Sequence, residues 1–372
     1  MWRQGFKTFA GLFRPGFGRG HSAKTRHRGP VDHVIILDGT MSSLAPGCES
    51  NAGLTYKLLS RTGMSVFYEA GAQWAEWRSV WGVVMGRGIN SQIRRAYGYL
   101  ASRYRPGDRI FLLGYSRGAF AVRSLAGVID RIGLLRPECA TERNVTTAYR
   151  HYRNPPGSAA ARAFRAHHCH DWVEIEMLGV WDTVKALGMH LPLLWRWTGA
   201  AHEFHNHQPS AIVRHGFHAL ARDETRRAFA PEMWEVPEEL AGRVEQVWFP
   251  GAHGDVGGHL AGFEPARPLA NIPLVWMLEK LEERGVVLPE DWRAAFPTDP
   301  HAPAVGTWHG LGKLFLIRRP RVIGRDRTER LHESVHLRAQ GRSSGQMPEP
   351  AGSAVGQSVN SRGTMKSTTS PE

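Results

Sequence analysis

Short apolar, β-branched runs alternate along the chain with stretches whose apolar residues recur every three to four positions. The runs His33–Leu37, Met64–Tyr68, Arg109–Leu113, Val173–Trp181 and Arg243–Phe249 have the length and residue content of strands. The 3.6-residue spacing predicts helices over Asn51–Arg61, Ile89–Arg103, Arg117–Ile132, Val213–Arg222 and Ile272–Arg284. Near-continuous apolar strands interleaved with helices predict an α/β fold, a mainly parallel central sheet with helices on both faces. In such sheets the site lies beyond the carboxyl ends of the strands.

The residues just past each strand are therefore the candidates. After the first come Asp38, Gly39 and Thr40; after the third, Gly114-Tyr115-Ser116-Arg117-Gly118. After the fourth come Asp182 and Thr183, and after the last Pro250-Gly251-Ala252-His253-Gly254-Asp255. G-x-S-x-G between a strand and a helix is the sequence form of a nucleophile elbow, whose tight turn demands small neighbours, here Gly114, Gly118 and Ala119. The order Ser116, Asp182, His253 is that of the α/β-hydrolases.

A serine hydroxyl needs a base to take its proton, and the base an acid to fix its tautomer. His253 is the candidate base because of its strand-end position among 19 histidines. Asp182 is the candidate acid, with Asp255 a second choice that equally suits ordering of the turn. An oxyanion needs two donors: the backbone N–H of Arg117 and that of Gly39 or Thr40. Asp38 reads as a loop-closing aspartate lining the site; a metal or phosphoryl role lacks a partner carboxylate. His167-His168-Cys169-His170 lacks the spacing of metal ligands, so neither metal nor cofactor is expected.

Two aromatic segments, Trp74-Trp77-Trp81-Val84-Met85 and Met189–Trp197, suit either an acyl-chain groove or packing around the sheet. A net charge of +13, from 47 Lys and Arg against 34 Asp and Glu, favours polyanions, but no nucleic-acid-binding signature accompanies it. Three cysteines suit a reducing compartment. With neither a signal peptide nor a transmembrane run, the expectation is a cytoplasmic protein able to sit at a membrane surface. Trp2, Phe6, Phe9, Phe13 and Phe17 mark residues 1–30 as a basic segment, amphipathic or disordered. Residues 31–338 form the expected catalytic domain, and the Gly/Ser/Pro/Thr-rich residues 339–372 a disordered tail.

The blocks VIILDGT (34–40), YRPGDRIFLLGYSRGAFAVRSLAGVIDRIGLL (104–135), LGVWDTVKALG (178–188), HALARDETRRAFAPEMW (218–234), VEQVWFPGAHGDVGG (244–258) and LHESVHLR (331–338) carry a resemblance. Together they resemble a bacterial family of serine α/β-hydrolases that includes the catalytic domains of type VI secretion phospholipase effectors. The resemblance implies Ser116 as nucleophile, Asp182 as acid, His253 as base and a site near Asp38-Gly39-Thr40. The chain departs from the family where Met41-Ser42-Ser43 replace a segment containing asparagine, and where Gly254 and His259 replace a serine and a glycine. The expected function is hydrolysis of lipid or phospholipid esters through an acyl-enzyme. Two other readings stay open: an esterase for small soluble esters, and a non-enzymatic peripheral membrane or polyanion-binding protein on a hydrolase scaffold.

Overall fold

Seven parallel strands form one sheet in the order β2-β1-β3-β4-β5-β6-β7 in a computed structural model that describes residues 28–71, 87–184, 209–308, 313 and 315–343. The strands are β1 (Asp32–Leu37), β2 (Ser65–Glu69), β3 (Arg109–Tyr115), β4 (Ile175–Trp181), β5 (Val213–Ala221), β6 (Val244–Phe249) and β7 (Glu329–Leu331). Because all run one way, the residues just past β1, β3, β4 and β6 meet along one edge.

Alternate side chains of the strands feed two cores. Ile35 and Leu37 of β1, with Ile110 and Leu112 of β3, pack against α2 (Arg87–Arg103) and α3 (Arg117–Ile132). The intervening Val34, Ile36, Phe111 and Leu113 face α1 (Asn51–Leu59) and α7 (Arg267–Glu283) on the other side. Period-two alternation with apolar residues on both faces is what helix cover over both sides of a parallel sheet requires. The helices α4 (Glu142–Arg153) and α5 (Ala159–His168) extend the first layer, capped by the Thr141 and Ser158 hydroxyls. The remaining short helices are α6 (His253–Gly257) and α8 (Trp292–Ala295), and α9 (Glu333–Ser343) closes the described chain.

Three expectations from the sequence need correction. The segment predicted as a helix over Val213–Arg222 is strand β5, inserted between β4 and β6. Its residues Gly216 to Ala221 are buried on both faces, so the run carries no clean alternation, and Val213, Phe217 and Leu220 mimic helical spacing. The helix expected from Ile272 starts at Arg267, with Pro268 in its first turn, where a missing N–H costs nothing. The chain remains helical beyond residue 339: α9 runs to Ser343, held by the buried Arg338 guanidinium, which donates to Pro300 O (2.6 Å) and Ala302 O (2.7 Å). The N-terminal aromatic pattern, the Trp74–Met85 face and the Met189–Trp197 insert lie outside the described residues.

Candidate active site

The turn from β3 into α3 is built by close approach. A Cβ on Gly118 would sit 2.0 Å from the Leu37 carbonyl oxygen, and one on Gly114 2.7 Å from the Ala119 nitrogen. Only glycine lets the start of α3 press against the end of β1. Between them Ser116 takes φ 56°, ψ −117°, a conformation that non-glycine residues adopt only under constraint. Its N–H donates to Trp181 O (3.0 Å), tying the elbow to the last residue of β4. The effect is to lift the hydroxyl above the sheet edge.

Asp182 comes directly after β4, also with positive φ (41°). His253 opens α6 after β6. The structure brings these three side chains together. Ser116 Oγ lies 2.9 Å from His253 Nε2, and His253 Nδ1 lies 2.6 Å from Asp182 Oδ2. With Nδ1 donating to the carboxylate, Nε2 accepts from the serine hydroxyl. Exposures of 8% for Ser116, 5% for His253 and 0% for Asp182 put the chain of hydrogen bonds in a largely dry setting.

The histidine is held from several sides. Its ring stacks on Tyr115 (centroids 5.0 Å) and leans against Phe229 (4.9 Å), while the Tyr115 hydroxyl donates to His253 O at 3.3 Å. Glu224 Oε2 accepts the His253 backbone N–H (3.1 Å), and Glu224 is itself paired with Arg226 (2.6 Å). Arg226 lies over Phe229 at 4.1 Å, closing the support around the ring.

Asp182 carries a second partner that the sequence does not suggest. Arg321 donates Nη1 to Asp182 Oδ1 (2.5 Å) and Nη2 to Oδ2 (2.9 Å), and reaches Ala221 O and Phe229 O with the same two nitrogens. The Ala221 N–H adds a further bond to Oδ1 (2.9 Å). Burial pushes the Asp182 carboxyl upward. The Arg321 charge and the bonds from His253 and Arg321 outweigh it, holding the group well below the usual carboxylate range. Arg321 sits in an irregular segment with no periodicity, and Glu224, within the stretch HALARDETRRAFAPEMW, lies three residues past β5, a strand whose sequence reads as a helix. The signal at Glu224 is hidden by that misread strand, and Arg321 has none.

The other expected residues separate by task. Asp38 is fully buried; Oδ1 accepts from Gly39 N (2.6 Å), and Oδ2 from Ser50 Oγ (2.6 Å) and Tyr68 Oη (2.8 Å). Burial raises its pKa, and these donors pull the other way. Ser50 is also the N-cap of α1, accepting from Gly53 N at 3.0 Å, so Asp38 ties the first loop to that helix. Asp255 accepts from Ala252 N (2.8 Å), Val305 N (2.7 Å) and Gly306 N (3.2 Å). It orders the turn, and both nitrogens of the His253 ring bond elsewhere. Of the first-loop amides, Gly39 N–H is committed to Asp38, leaving Thr40. Arg117 occupies the first position of α3, where its N–H has no helical acceptor. Cys169 is buried in the first core, whereas His167 and His168 end α5, so that run does not converge. Among the described residues no group of three or more His, Cys, Asp or Glu side chains is placed to hold a metal ion.

The family model for the type VI secretion phospholipase effector Tle1-like catalytic domain matches residues 32–280, more than half of the chain. The chain belongs to this family. An uncharacterized protein of Saccharomyces cerevisiae, YEL023C, is 28% identical over 225 residues, covering 53% of this chain and 31% of its own. The chain therefore spans about a third of that relative's length.

Solved structures similar to it are distant. An uncharacterized protein from Pseudomonas aeruginosa has TM-score 0.41 and 14% identity, over 77% of this chain and 50% of its own. The Tle1 effector, solved bound to the VgrG spike of the type 6 secretion system, has TM-score 0.33 and 17% identity, over 62% and 51%. The Est2 esterase of Thermogutta terrifontis has TM-score 0.39 and 14% identity, over 70% and 85%.

Proposed function

We propose that the protein hydrolyses carboxylic ester bonds of phospholipids, with Ser116 as nucleophile, His253 as general base and Asp182 as the acid that orients it. The observation that carries this reading is the continuous Ser116–His253–Asp182 hydrogen-bond chain, at 2.9 and 2.6 Å, on a strained elbow. As Ser116 Oγ attacks the ester carbonyl, its proton passes to His253 Nε2, and the imidazolium so formed is stabilised by Asp182. The negative charge on the carbonyl oxygen meets the Arg117 N–H, with Thr40 N–H the second donor. The alcohol leaves with the proton from His253, and water deprotonated by the same nitrogen then releases the fatty acid.

Family membership and the net charge of +13 support an anionic lipid surface as the place where substrate is met. Ser116→Ala is expected to abolish labelling by a fluorophosphonate probe and to lower fatty-acid release from phosphatidylglycerol vesicles by at least about 10³-fold. Labelling that survives the substitution overturns the nucleophile. A wild-type enzyme that cleaves p-nitrophenyl butyrate but leaves vesicles of phosphatidylglycerol and phosphatidylethanolamine intact overturns the lipid assignment alone.

A further inference from the structure

The family's matched region ends at residue 280, yet a side chain forty-one residues later is bonded to Asp182. Arg321 is held by four acceptors: both Asp182 oxygens, Ala221 O at the end of β5 and Phe229 O in the segment that supports the His253 ring. The two carbonyls fix the guanidinium whether or not the carboxylate is charged, so its fork is preorganised for Asp182. Its side chain is 4% exposed against 0% for Asp182, so water screens the pair weakly. The Nη2 bond falls on Oδ2, the oxygen that also receives His253 Nδ1.

We infer that Arg321 is a positioning residue for hydrolysis: its guanidinium fixes the Asp182 carboxylate against His253 and takes up part of the negative charge that the imidazole faces. The inference rests on the proposed roles of Ser116, His253 and Asp182. Its consequence is electrostatic. A carboxylate already shared with a cation attracts a protonated imidazole less than a lone one, so removing the cation is expected to strengthen the carboxylate's hold on the imidazolium.

The other titratable groups around the pair do not duplicate this. Glu224, after β5, faces the His253 backbone and is neutralised by Arg226. Tyr115 of β3 stacks on the ring, and His218 of β5 donates nothing to Asp182: its Nε2 accepts the Thr183 N–H at 3.2 Å. His259, beyond α6, lies within electrostatic reach of Asp38 and His253, and Asp255 of α6 is spent on backbone amides. Among the described residues, the hydrogen bonds from a cationic side chain to Asp182, other than that of the histidine itself, are those of Arg321.

The test compares R321K, R321M and R321Q in the full chain, using kcat/KM against pH for p-nitrophenyl butyrate. R321M and R321Q remove the charge, and their acid limb is expected to rise by about one pH unit with kcat lowered about tenfold. R321K keeps a cation without the fork, so its limb stays within a few tenths of wild type while kcat falls. A merely structural role would lower kcat in all three and leave the limbs together, which overturns the inference. An independent reading uses Ser116→Ala as background and tracks the His253 Nδ1–H proton resonance by NMR. Adding R321M or R321Q should raise the pH at which that resonance changes, and adding R321K should not. Should R321M fail to fold, R321Q, which retains an N–H donor toward Oδ1, carries the comparison. Loss of fluorophosphonate labelling from the wild-type protein would instead strike the nucleophile assignment, leaving the NMR result to judge Arg321 alone.

Discussion

Ser116 holds a backbone conformation (φ 56°, ψ −117°) that costs roughly 1–3 kcal/mol for a residue with a Cβ. The fold tolerates this cost because it aims the hydroxyl at His253. Ser116→Ala and Ser116→Gly both remove Oγ and its hydrogen bond, but only glycine relieves the strain. After allowing for the greater unfolded-state freedom of glycine, the Ser116→Gly protein is expected to be more stable than Ser116→Ala by about 1 kcal/mol. Urea unfolding of the two variants reads the difference directly; equal midpoints would mean that the elbow stores no strain. At this scale the sequence is informative about residues whose position is set locally. Ser116, Asp182 and His253 each lie directly after a strand or four residues beyond one, so a strand-end rule picks them out. Glu224 follows β5 by three residues and escapes the rule because that strand reads as a helix, whereas Arg321 reaches the cluster from an irregular segment, where nothing short of the fold relates its position to Asp182.

At the scale of elements, the site depends on how closely α3 lies against β1. Gly118→Ala would place a methyl 2.0 Å from Leu37 O and 2.4 Å from its carbon, both backbone atoms that cannot swing aside. Gly98, in the middle of α2, offers the contrast: a Cβ there meets only Val145 Cγ2, at 3.6 Å. Gly118→Ala is expected to cost about 3 kcal/mol and to reduce fluorophosphonate labelling, through displacement of the elbow. Gly98→Ala should stabilise by about 0.5–1 kcal/mol, since alanine propagates a helix better than glycine. Thermal melts that shift alike for the two would remove the close-packing explanation of the G-x-S-x-G glycines. The same scale explains where pattern reading of the chain falls short. The strands β1, β3 and β4 are recognisable because turn residues bound their apolar runs. β5 is not, since Gly216–Ala221 is buried on both faces and a short run of that kind fits a helix equally well. The three-residue edge strand β7 is too short to show any period.

Across the whole molecule, burial sets how the fold responds to acid. His170, His215, His218, His259 and His332 are all lowered, burial being the largest cause in each, and His218 reaches about 3. Each binds a proton less tightly in the folded chain than in the unfolded one, where the ordinary value is about 6.5. Above that pH neither state is protonated and these groups cost nothing. As pH falls below it the unfolded chain takes up protons that the folded chain refuses, so stability declines. For His218 the window runs from about 6.5 down to about 3, at roughly 1.4 kcal/mol per pH unit. The lowered carboxylates Asp182 and Glu224 add their loss later, since their stabilisation persists until pH drops below the ordinary carboxylate range. Asp38 and Asp255 act in the opposite sense, because burial raises both and the folded state takes their protons first. With two raised carboxylates against five lowered histidines, the unfolding free energy in urea is expected to fall steadily from pH 7.5 to pH 5. His218→Gln, whose amide oxygen can still accept from Thr183 N–H, should fall with a shallower slope over the same range. A wild-type profile that is flat or rising between those pH values would mean that the buried histidines do not govern it, and a His218→Gln slope equal to wild type would remove His218 from the account.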